Sequence, residues 1–198
     1  MPDLTKQTLR RELKARRLEL QARAPDAGED LADRFPLKLL ERFGPYVSVY
    51  WPIGSELDPR PLMQRLHAQG ATLCLPWSAP GQPMCFRQWR PDDQLETASF
   101  GLRQPLLTAD RVTPRLILAP LLGVDTSGMR LGYGQGHYDR AVASIRETGP
   151  AFLCGLAFAG QLIETIPSEA HDIPLDWLVT EHGSTPFFLS RASAPDIG

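Results

Sequence analysis

The hydrophobic and polar positions of the chain follow helical spacing in some segments and form short buried runs in others. A broken leucine stripe predicts a helix over residues 5–23, and an apolar run interrupted at Pro36 predicts more helix up to Gly44. Two further helices are predicted over 59–69 and 137–148. β-Branched and aromatic runs predict strands, which are "YVSVYWP", "ATLCLPW", "MCFRQW", "RLILAP", "AFLCGLAF" and "LDWLVTE".

This alternation of strands and helices predicts an α/β fold, a three-layer sandwich with a largely parallel sheet and helices on both faces. The polar segment 90–111 is expected to run over the surface. No convincing linker is visible, so residues 1–198 are expected to form a single domain, with the helices at 3–43 packing as an appendage.

Composition narrows the functional classes. A net charge of −2 gives no bulk field that would attract nucleic acid or an anionic membrane. The three cysteines are far apart and include no C-x-x-C, which argues against a disulfide framework or a zinc site. Neither a signal peptide nor a membrane-spanning apolar run is present, so a cytoplasmic location is expected.

The segment "GMRLGYGQGHYDR", residues 128–140, is the strongest candidate for chemistry. It follows a predicted strand, and ligands of open α/β sheets bind beyond the carboxyl ends of strands. Its alternating glycines bring backbone N–H groups close to a ligand, and the helix that follows directs its positive end to the same place. The pattern indicates a phosphate site, although a purely structural turn remains an alternative.

Asp139 lies directly after these glycines. A carboxylate beside phosphates is repelled unless a cation lies between them, so Asp139 indicates a magnesium–nucleotide complex. The alternative is a salt bridge with Arg130 or Arg140. The spacing matches neither a Walker A loop nor a dinucleotide fingerprint.

Four segments together carry a family resemblance. "APLLGVDTSGMRLGYGQGHYDR" resembles the signature P-x-x-x-x-D-x-x-G-x-R-L-G-x-G-x-G-[YF]-Y-D-R of the 5-formyltetrahydrofolate cyclo-ligase family. "KQTLR", "VYWPIGSELDPRPL" and "IPSEAHDIPLDWLVTE" are similar to other segments of that family, in the same order. The chain departs from the pattern at His137, where the family has Tyr or Phe, and at Gln104, where it often has Glu.

The resemblance implies an enzyme that cyclises 5-formyltetrahydrofolate to 5,10-methenyltetrahydrofolate while ATP becomes ADP and phosphate. It implies a fold similar to that of sugar-phosphate isomerases and CoA transferases. The expected partners are a reduced folate and ATP, with Mg²⁺ as cofactor. No nucleic acid or membrane partner is expected, and we expect a monomer.

The resemblance also implies roles for individual residues. ATP-binding is expected at Lys6, Arg10, Arg130, Leu131, Gly132, Tyr133, Gly134, Gln135, Gly136, His137 and Tyr138. Arg130 and Tyr138 are expected to be catalytic, and Arg10, Trp51 and Glu56 to bind the folate. Asp139 and Asp176 are expected to bind the metal. Lys6 and Arg10 lie four apart on one helix face, and a carboxylate at Glu56 suits the paired ring donors of a pterin.

Each role has a structural alternative. The basic helix that carries Lys6, Arg10, Arg16 and Arg17 would otherwise be a solvated face. Trp51 would be core, Glu56 a surface carboxylate and Asp176 part of a turn.

Two functional alternatives stay open. One is a sugar-phosphate isomerase or acyl-CoA enzyme that uses the same loop without ATP. The other is a non-catalytic protein that binds folate or nucleotide.

Overall fold

The structure is a computed structural model that describes residues 2–98 and 101–187. The helices are α1 (Pro2–Arg23), α2 (Ala27–Arg34), α3 (Lys38–Phe43), α4 (Arg60–Ala68) and α5 (His137–Thr148). The strands are β1 (Tyr46–Ser48), β2 (Thr72–Trp77), β3 (Cys85–Gln88), β4 (Leu95–Thr97), β5 (Arg103–Pro105), β6 (Arg111–Val112), β7 (Leu116–Ala119), β8 (Gly123–Asp125), β9 (Arg130–Leu131), β10 (Phe152–Leu156), β11 (Leu162–Ile163), β12 (Trp177–Thr180) and β13 (Gly183–Pro186).

Eight strands form the central sheet in the order β13-β12-β10-β7-β1-β2-β3-β6. The five inner strands are mutually parallel, and the strands added outside them pair antiparallel. The parallel strands therefore have a doubly wound order in which β1 and β7 are neighbours. The chain changes its winding direction between these two strands, and such switch points are where open α/β sheets bind ligands.

Helices cover both faces of the sheet. Successive residues of a strand point to opposite faces, so Leu116 and Leu118 of β7 join the core cluster that includes α2, α3 and α4. Ile117 and Ala119 join a second cluster that includes α5. These near-continuous apolar strands are typical of a parallel sheet that is buried on both sides.

The sequence predicted most of these elements, and α5 has the predicted bounds. The predicted surface segment 90–111 instead contains the β4–β5 hairpin and begins β6 at its end. The helices at 3–43 do more than the predicted appendage, since Leu31 and Leu39 lie in the larger core cluster. The small sheet β11-β8-β9 and the edge strand β13 were not predicted.

Among residues 2–98 and 101–187, the longest helices lack the apolar stretch that a membrane crossing requires.

Candidate active site

The candidate site lies at the carboxyl edge of the sheet, where β1 and β7 end side by side. The segment after β1 leads to Glu56, and the segment after β7 leads through β8 and β9 to the glycine loop, residues 132–136. Asp125 shapes this second path: one carboxylate oxygen accepts from the Ser127 and Met129 N–H groups, and the other from the Ile166 N–H. The sheet topology thus brings together segments that are far apart in the sequence.

The glycine loop has a conformation that two of its glycines require. Gly134 and Gly136 have φ values of +91° and +61°, which L side chains rarely adopt. A Cβ at Gly134 would also lie 3.0 Å from Arg10 Cζ. Gly136 caps α5 without a side-chain hydrogen bond, so the positive end of the helix faces this loop.

The other loop residues surround this helix end. Arg140 donates to the Gln135 carbonyl at 2.8 Å and approaches His137 Nδ1 at 3.5 Å. Burial and the Arg140 charge lower the pKa of His137, which favours a neutral ring. Leu131 is buried and its carbonyl accepts from the Leu122 N–H, so its predicted contact with ATP stays a prediction.

Arg130 and Asp139 form a pair beside the loop. Asp139 Oδ1 accepts from Arg130 Nη2 at 2.9 Å and from the Ile173 N–H at 3.0 Å. Burial lowers the pKa of Arg130, while the Asp139 charge opposes that shift. The salt bridge named as the alternative for Asp139 is therefore present, and its metal-binding role stays a prediction.

The inner face of α1 brings Lys6 and Arg10 to the same edge of the sheet. Arg10 Nε donates to the Gly132 carbonyl at 3.2 Å. Lys6 is 5% exposed and donates to Glu169 at 2.8 Å and to Asp172 at 2.9 Å. Burial alone would lower the pKa of Lys6, but these hydrogen bonds outweigh it and the pKa is raised. Two of the three N–H donors of the Lys6 ammonium are thus occupied by carboxylates.

Glu56 is buried rather than on the surface, with 4% exposure. Its Oε2 accepts from the Ile53 N–H at 2.9 Å, and the Tyr133 hydroxyl lies close enough to influence the pKa of this carboxyl. Burial raises the pKa of Glu56, and the Ile53 N–H, the Arg17 charge and the Tyr133 hydroxyl each oppose the rise. A buried carboxylate with few donors is suited to accept donors from a ligand.

Two tyrosines interact electrostatically with this carboxylate, and Trp51 lies five residues before it in the chain. Tyr50 is buried and donates to the Leu57 carbonyl at 2.9 Å. Burial raises the pKa of Tyr138, as do nearby charges that include Glu56, while Arg130 opposes the rise. Tyr138 is therefore close enough to Glu56 and to Arg130 for their charges to affect its pKa. Trp51 is half-buried and meets Trp89 edge-to-face at 5.9 Å.

Asp176 lies at the other edge of the sheet. Its Oδ2 accepts from the Leu153 N–H at the start of β10 and from Arg146 in the last turn of α5, both at 2.8 Å. Asp139 lies in the first turn of α5, which is about 10 Å from Arg146 along the helix and faces the carboxyl edge of the sheet. The structure therefore does not bring the two predicted metal ligands together, and the role of Asp176 stays a prediction.

Three residues at the carboxyl edge were not assigned to the site from sequence. Arg17, expected on a solvated face, is 1% exposed. Glu169 and Asp172 hold Lys6, and Asp172 also raises the pKa of Arg130 against the effect of burial. A signal for Arg17 exists, because Lys6, Arg10, Leu13 and Arg17 repeat at helical spacing on one face of α1.

The donor set fits a metal ion only if the ion arrives with phosphate oxygens. Across residues 2–98 and 101–187, no group of three or more His, Cys, Asp or Glu side chains could hold a metal. Mg²⁺ often binds to one or two carboxylates together with substrate phosphates and water, which Asp139 beside the glycine loop can accommodate.

A cavity of about 460 Å³ lies away from this site. It is at the opposite edge of the sheet, between the end of α3 and the end of α5, and its lining includes Phe43, Arg115 and Gly149. No predicted site residue lines it.

Proteins of known function resemble this chain in sequence. The model of the 5-formyltetrahydrofolate cyclo-ligase family matches residues 3–181. The chain is 34% identical over 181 residues to the 5-formyltetrahydrofolate cyclo-ligase of Mycolicibacterium smegmatis, covering 85% of this chain and 92% of that one. It is 29% identical over 178 residues to that of Haemophilus influenzae, with coverages of 86% and 94%.

Two solved structures resemble the fold of this chain. The NMR structure of Aquifex aeolicus 5,10-methenyltetrahydrofolate synthetase superimposes with a TM-score of 0.73, 28% identity and 92% coverage of each chain. A synthetase of this kind from Mycoplasma pneumoniae gives a TM-score of 0.67 at 17% identity, covering 89% of this chain and 98% of that one, and shows the shared fold alone.

Proposed function

Because the chain belongs to the 5-formyltetrahydrofolate cyclo-ligase family and is an enzyme of that kind, we propose that it uses ATP to close 5-formyltetrahydrofolate into 5,10-methenyltetrahydrofolate, with ADP and phosphate as the other products. The observation that carries this proposal is the meeting of two unlike subsites at one switch point. A buried carboxylate follows β1, and a glycine loop capping a helix follows β7. The reaction needs both.

The glycine loop is the proposed phosphate site. Backbone N–H groups at the start of α5 face the loop, and Arg10, Arg130 and Arg140 supply positive charge around it. Lys6 joins the phosphates by exchanging Glu169 or Asp172 for a phosphate oxygen. Arg10 contacts the loop at Gly132 and Gly134, and it is proposed to contact the folate as well.

Mg²⁺ is proposed to arrive with ATP, and Asp139 is the carboxylate that would help to hold it. When bound, the ion would neutralise charge on the phosphates. Asp139 also fixes Arg130 through a hydrogen bond of 2.9 Å, so it orients a phosphate-binding cation whether or not it contacts the metal.

Glu56 is the proposed anchor for the pterin ring. Ring N–H and amino groups form a pair of donors that a carboxylate accepts together. The charge-assisted bonds would be strong in this buried setting. Trp51, half-buried beside Trp89, supplies an apolar wall for the ring.

The proposed chemistry activates a poor electrophile. The formyl oxygen attacks the terminal phosphorus of ATP, and ADP leaves. The neighbouring folate amine then attacks the formyl carbon and loses its proton, and phosphate departs with the former formyl oxygen. Arg130 and Tyr138 are proposed to border the transferred phosphoryl group, so the enzyme contributes mainly positioning and charge stabilisation.

Three further expectations from the sequence concern the fold family, the oligomeric state and the location of the protein. The likeness to sugar-phosphate isomerases and CoA transferases, the monomeric state and the cytoplasmic location all stay predictions. No specific contact favours the isomerase-like or the purely binding alternative.

The test follows the methenyl chromophore by absorbance after 5-formyltetrahydrofolate is added to purified protein with Mg²⁺, with and without ATP. We expect an absorbance increase that requires ATP and is accompanied by one ADP per product. Glu56→Gln is expected to raise the folate KM more than the ATP KM. An absorbance increase without ATP would contradict the ATP role, and folate binding without turnover would support a binding protein instead.

A further inference from the structure

Arg17 is a buried charge that the proposed mechanism does not use. Its side chain is 2% exposed although the residue lies in a helix rich in solvated arginines and lysines. Burying a guanidinium is costly unless its donors are satisfied. Such a side chain in α1 therefore calls for a physical explanation.

Its contacts connect three segments of the site. Arg17 Nε donates to Ser55 Oγ at 3.2 Å, Nη1 donates to the Leu121 carbonyl at 3.1 Å, and Nη2 donates to the Tyr133 hydroxyl at 2.5 Å. Ser55 precedes Glu56, Leu121 follows β7, and Tyr133 belongs to the glycine loop. The fork of one guanidinium thus joins α1 to both sides of the switch point.

Arg17 is also the cation nearest to the folate-binding carboxylate among the ion pairs of the described chain. Arg17 Nη1 lies 3.8 Å from Glu56 Oε1, and both side chains are almost fully buried. Among residues 2–98 and 101–187, the other titratable groups that interact with Glu56 are phenols: Tyr50 after β1, Tyr133 in the loop and Tyr138 in α5. Burial raises the pKa of each phenol, so all three are neutral near pH 7.

We propose that Arg17 is a positioning residue for folate recognition: it holds Glu56 as an oriented carboxylate and ties the glycine loop to it through Tyr133. The inference rests on the proposed folate-binding role of Glu56. Arg17 acts through Glu56 and Tyr133 rather than on the reacting atoms. It makes the folate subsite depend on the docking of α1, the helix that also carries the proposed nucleotide contacts Lys6 and Arg10.

The charge of Arg17 affects how folate binding depends on pH. Without it, burial raises the pKa of Glu56 with less opposition. Protonated Glu56 accepts fewer hydrogen bonds, so folate binding weakens first at low pH and recovers as pH rises. A residue that only filled space would cause a loss that does not change with pH.

The experiment compares Arg17→Gln with Arg17→Lys. Glutamine removes the charge but keeps an amide donor, and lysine keeps the charge but loses the fork. Arg16→Gln is the matched control, because Arg16 is the exposed neighbour on the same helix. For each protein, kcat/KM for 5-formyltetrahydrofolate is measured against pH at saturating Mg–ATP, and KM for ATP is measured alongside.

We expect Arg17→Gln to lower kcat/KM for the folate about tenfold or more near pH 7, with recovery at higher pH. Arg17→Lys should retain the pH profile of the unmodified enzyme with a smaller loss, and Arg16→Gln should change nothing beyond about twofold. In a Glu56→Gln background, Arg17→Gln should add no pH-dependent loss, because no carboxyl remains to titrate.

A second readout does not depend on turnover. The Glu56 carboxyl is titrated by NMR with ¹³C-labelled glutamate, and its signal is assigned by its loss in Glu56→Gln. Arg17→Gln should move this titration to higher pH, and Arg17→Lys should not. If the titration shifts as expected but no protein cyclises the folate, the proposed function fails while the Arg17–Glu56 contact stands.

Two results would overturn the inference. One is an unshifted Glu56 titration in folded Arg17→Gln. The other is a loss of kcat/KM that is independent of pH and equally large in the Glu56→Gln background. If Arg17→Gln does not fold, a Glu56 titration in folded Arg17→Lys that resembles that of the unmodified enzyme supports the inference, and one that moves to higher pH overturns it.

Discussion

The two ends of α5 carry nearly the same ionic arrangement. In the first turn, Asp139 accepts from Arg130 at 2.9 Å and from the Ile173 N–H at 3.0 Å. In the last turn, Arg146 donates to Asp176, which also accepts from the Leu153 N–H, both at 2.8 Å. Each end has one arginine, one aspartate and one backbone donor.

What differs is the surroundings. The first pair lies beside the glycine loop, where Arg10, Lys6 and Arg140 add cations and the helix directs its positive end. The second lies at the amino edge of the sheet, where Arg146 suits the negative helix end and also donates to the Ala151 carbonyl. Identical partners therefore do not imply identical roles, and the additional cations mark the end that is proposed to bind phosphate.

The largest expected effect comes from changing the two arginines. Arg130→Lys should lower kcat about 100-fold, because lysine keeps a charge but cannot offer a fork to Asp139 and a phosphoryl oxygen together. Arg146→Lys should leave kcat within about twofold, since the pair is partly exposed and remote from the loop. Steady-state kinetics of both proteins measure this difference, and equal losses would remove the distinction between the two ends.

The two aspartates sharpen the comparison. Asp139→Asn should lower kcat about tenfold or more, because Arg130 loses the charge that orients it. Asp176→Asn should keep kcat but lower the free energy of unfolding by about 1–2 kcal/mol, because its bonds to Leu153 and Arg146 join strand and helix. Kinetics and denaturant unfolding separate the two results. Lost activity without lost stability in Asp176→Asn would support the metal role predicted for Asp176 from the sequence.

The carboxyl edge also has a side chain that Arg17 holds beside the proposed folate subsite. The Tyr133 hydroxyl accepts from Arg17 Nη2 at 2.5 Å and interacts with Glu56, where the pterin is proposed to bind. Tyr133→Phe should therefore bind the folate about threefold more weakly in the absence of ATP, measured by calorimetry, because Arg17 loses its bond to the glycine loop. Tyr46→Phe is the control, because Tyr46 is exposed at the opposite edge of the sheet. Tighter binding in Tyr133→Phe would mean that the hydroxyl competes with the folate for Glu56.

The smallest expected effect is a pH dependence at the same edge. Although burial alone would raise the pKa of Asp172, the Lys6 hydrogen bond and the Glu169 N–H outweigh it and the pKa is lowered. The contact therefore stabilises the folded state above the ordinary aspartate pKa, and this stabilisation is lost as pH falls through the lower folded-state pKa. Hydrogen exchange of α1 amides, corrected for the intrinsic effect of pH, should increase in this acid range.

Asp172→Asn is the control for this pH dependence. In that protein the increase in α1 exchange on acidification should be smaller, because the carboxyl that titrates is gone. An increase of the same size in both proteins would contradict the assignment to Asp172.

Local pattern predicted the fold well where one segment determines its own structure. The glycines and the helix at His137 follow from backbone preferences, and strands such as β7 follow from continuous apolar runs. The β4–β5 hairpin was missed because its strands are short and largely polar. Strand pairing depends on contacts with neighbouring strands, and the pattern of apolar and polar residues along one segment does not reveal those contacts.

The sequence predicted the site less well where a residue's role depends on the edge of the sheet at which its side chain lies. Asp139 and Asp176 were expected to act together, but they lie beside opposite ends of α5, and chain order does not reveal that separation. Arg17 was grouped with its solvated neighbours because charge usually indicates exposure. Its helical spacing from Lys6, Arg10 and Leu13 was the more informative signal.

The pairing of Lys6 with Glu169 and Asp172 has a consequence for biosynthesis. Lys6 is made well before its partners, which follow 163 and 166 residues later in the chain. Contacts so distant in sequence form late, because the intervening chain must first be ordered. A nascent chain that already has its inner strands β1, β2 and β7 therefore still lacks a docked α1. We expect the enzyme to acquire its proposed nucleotide contacts only after Glu169 and Asp172 have been made.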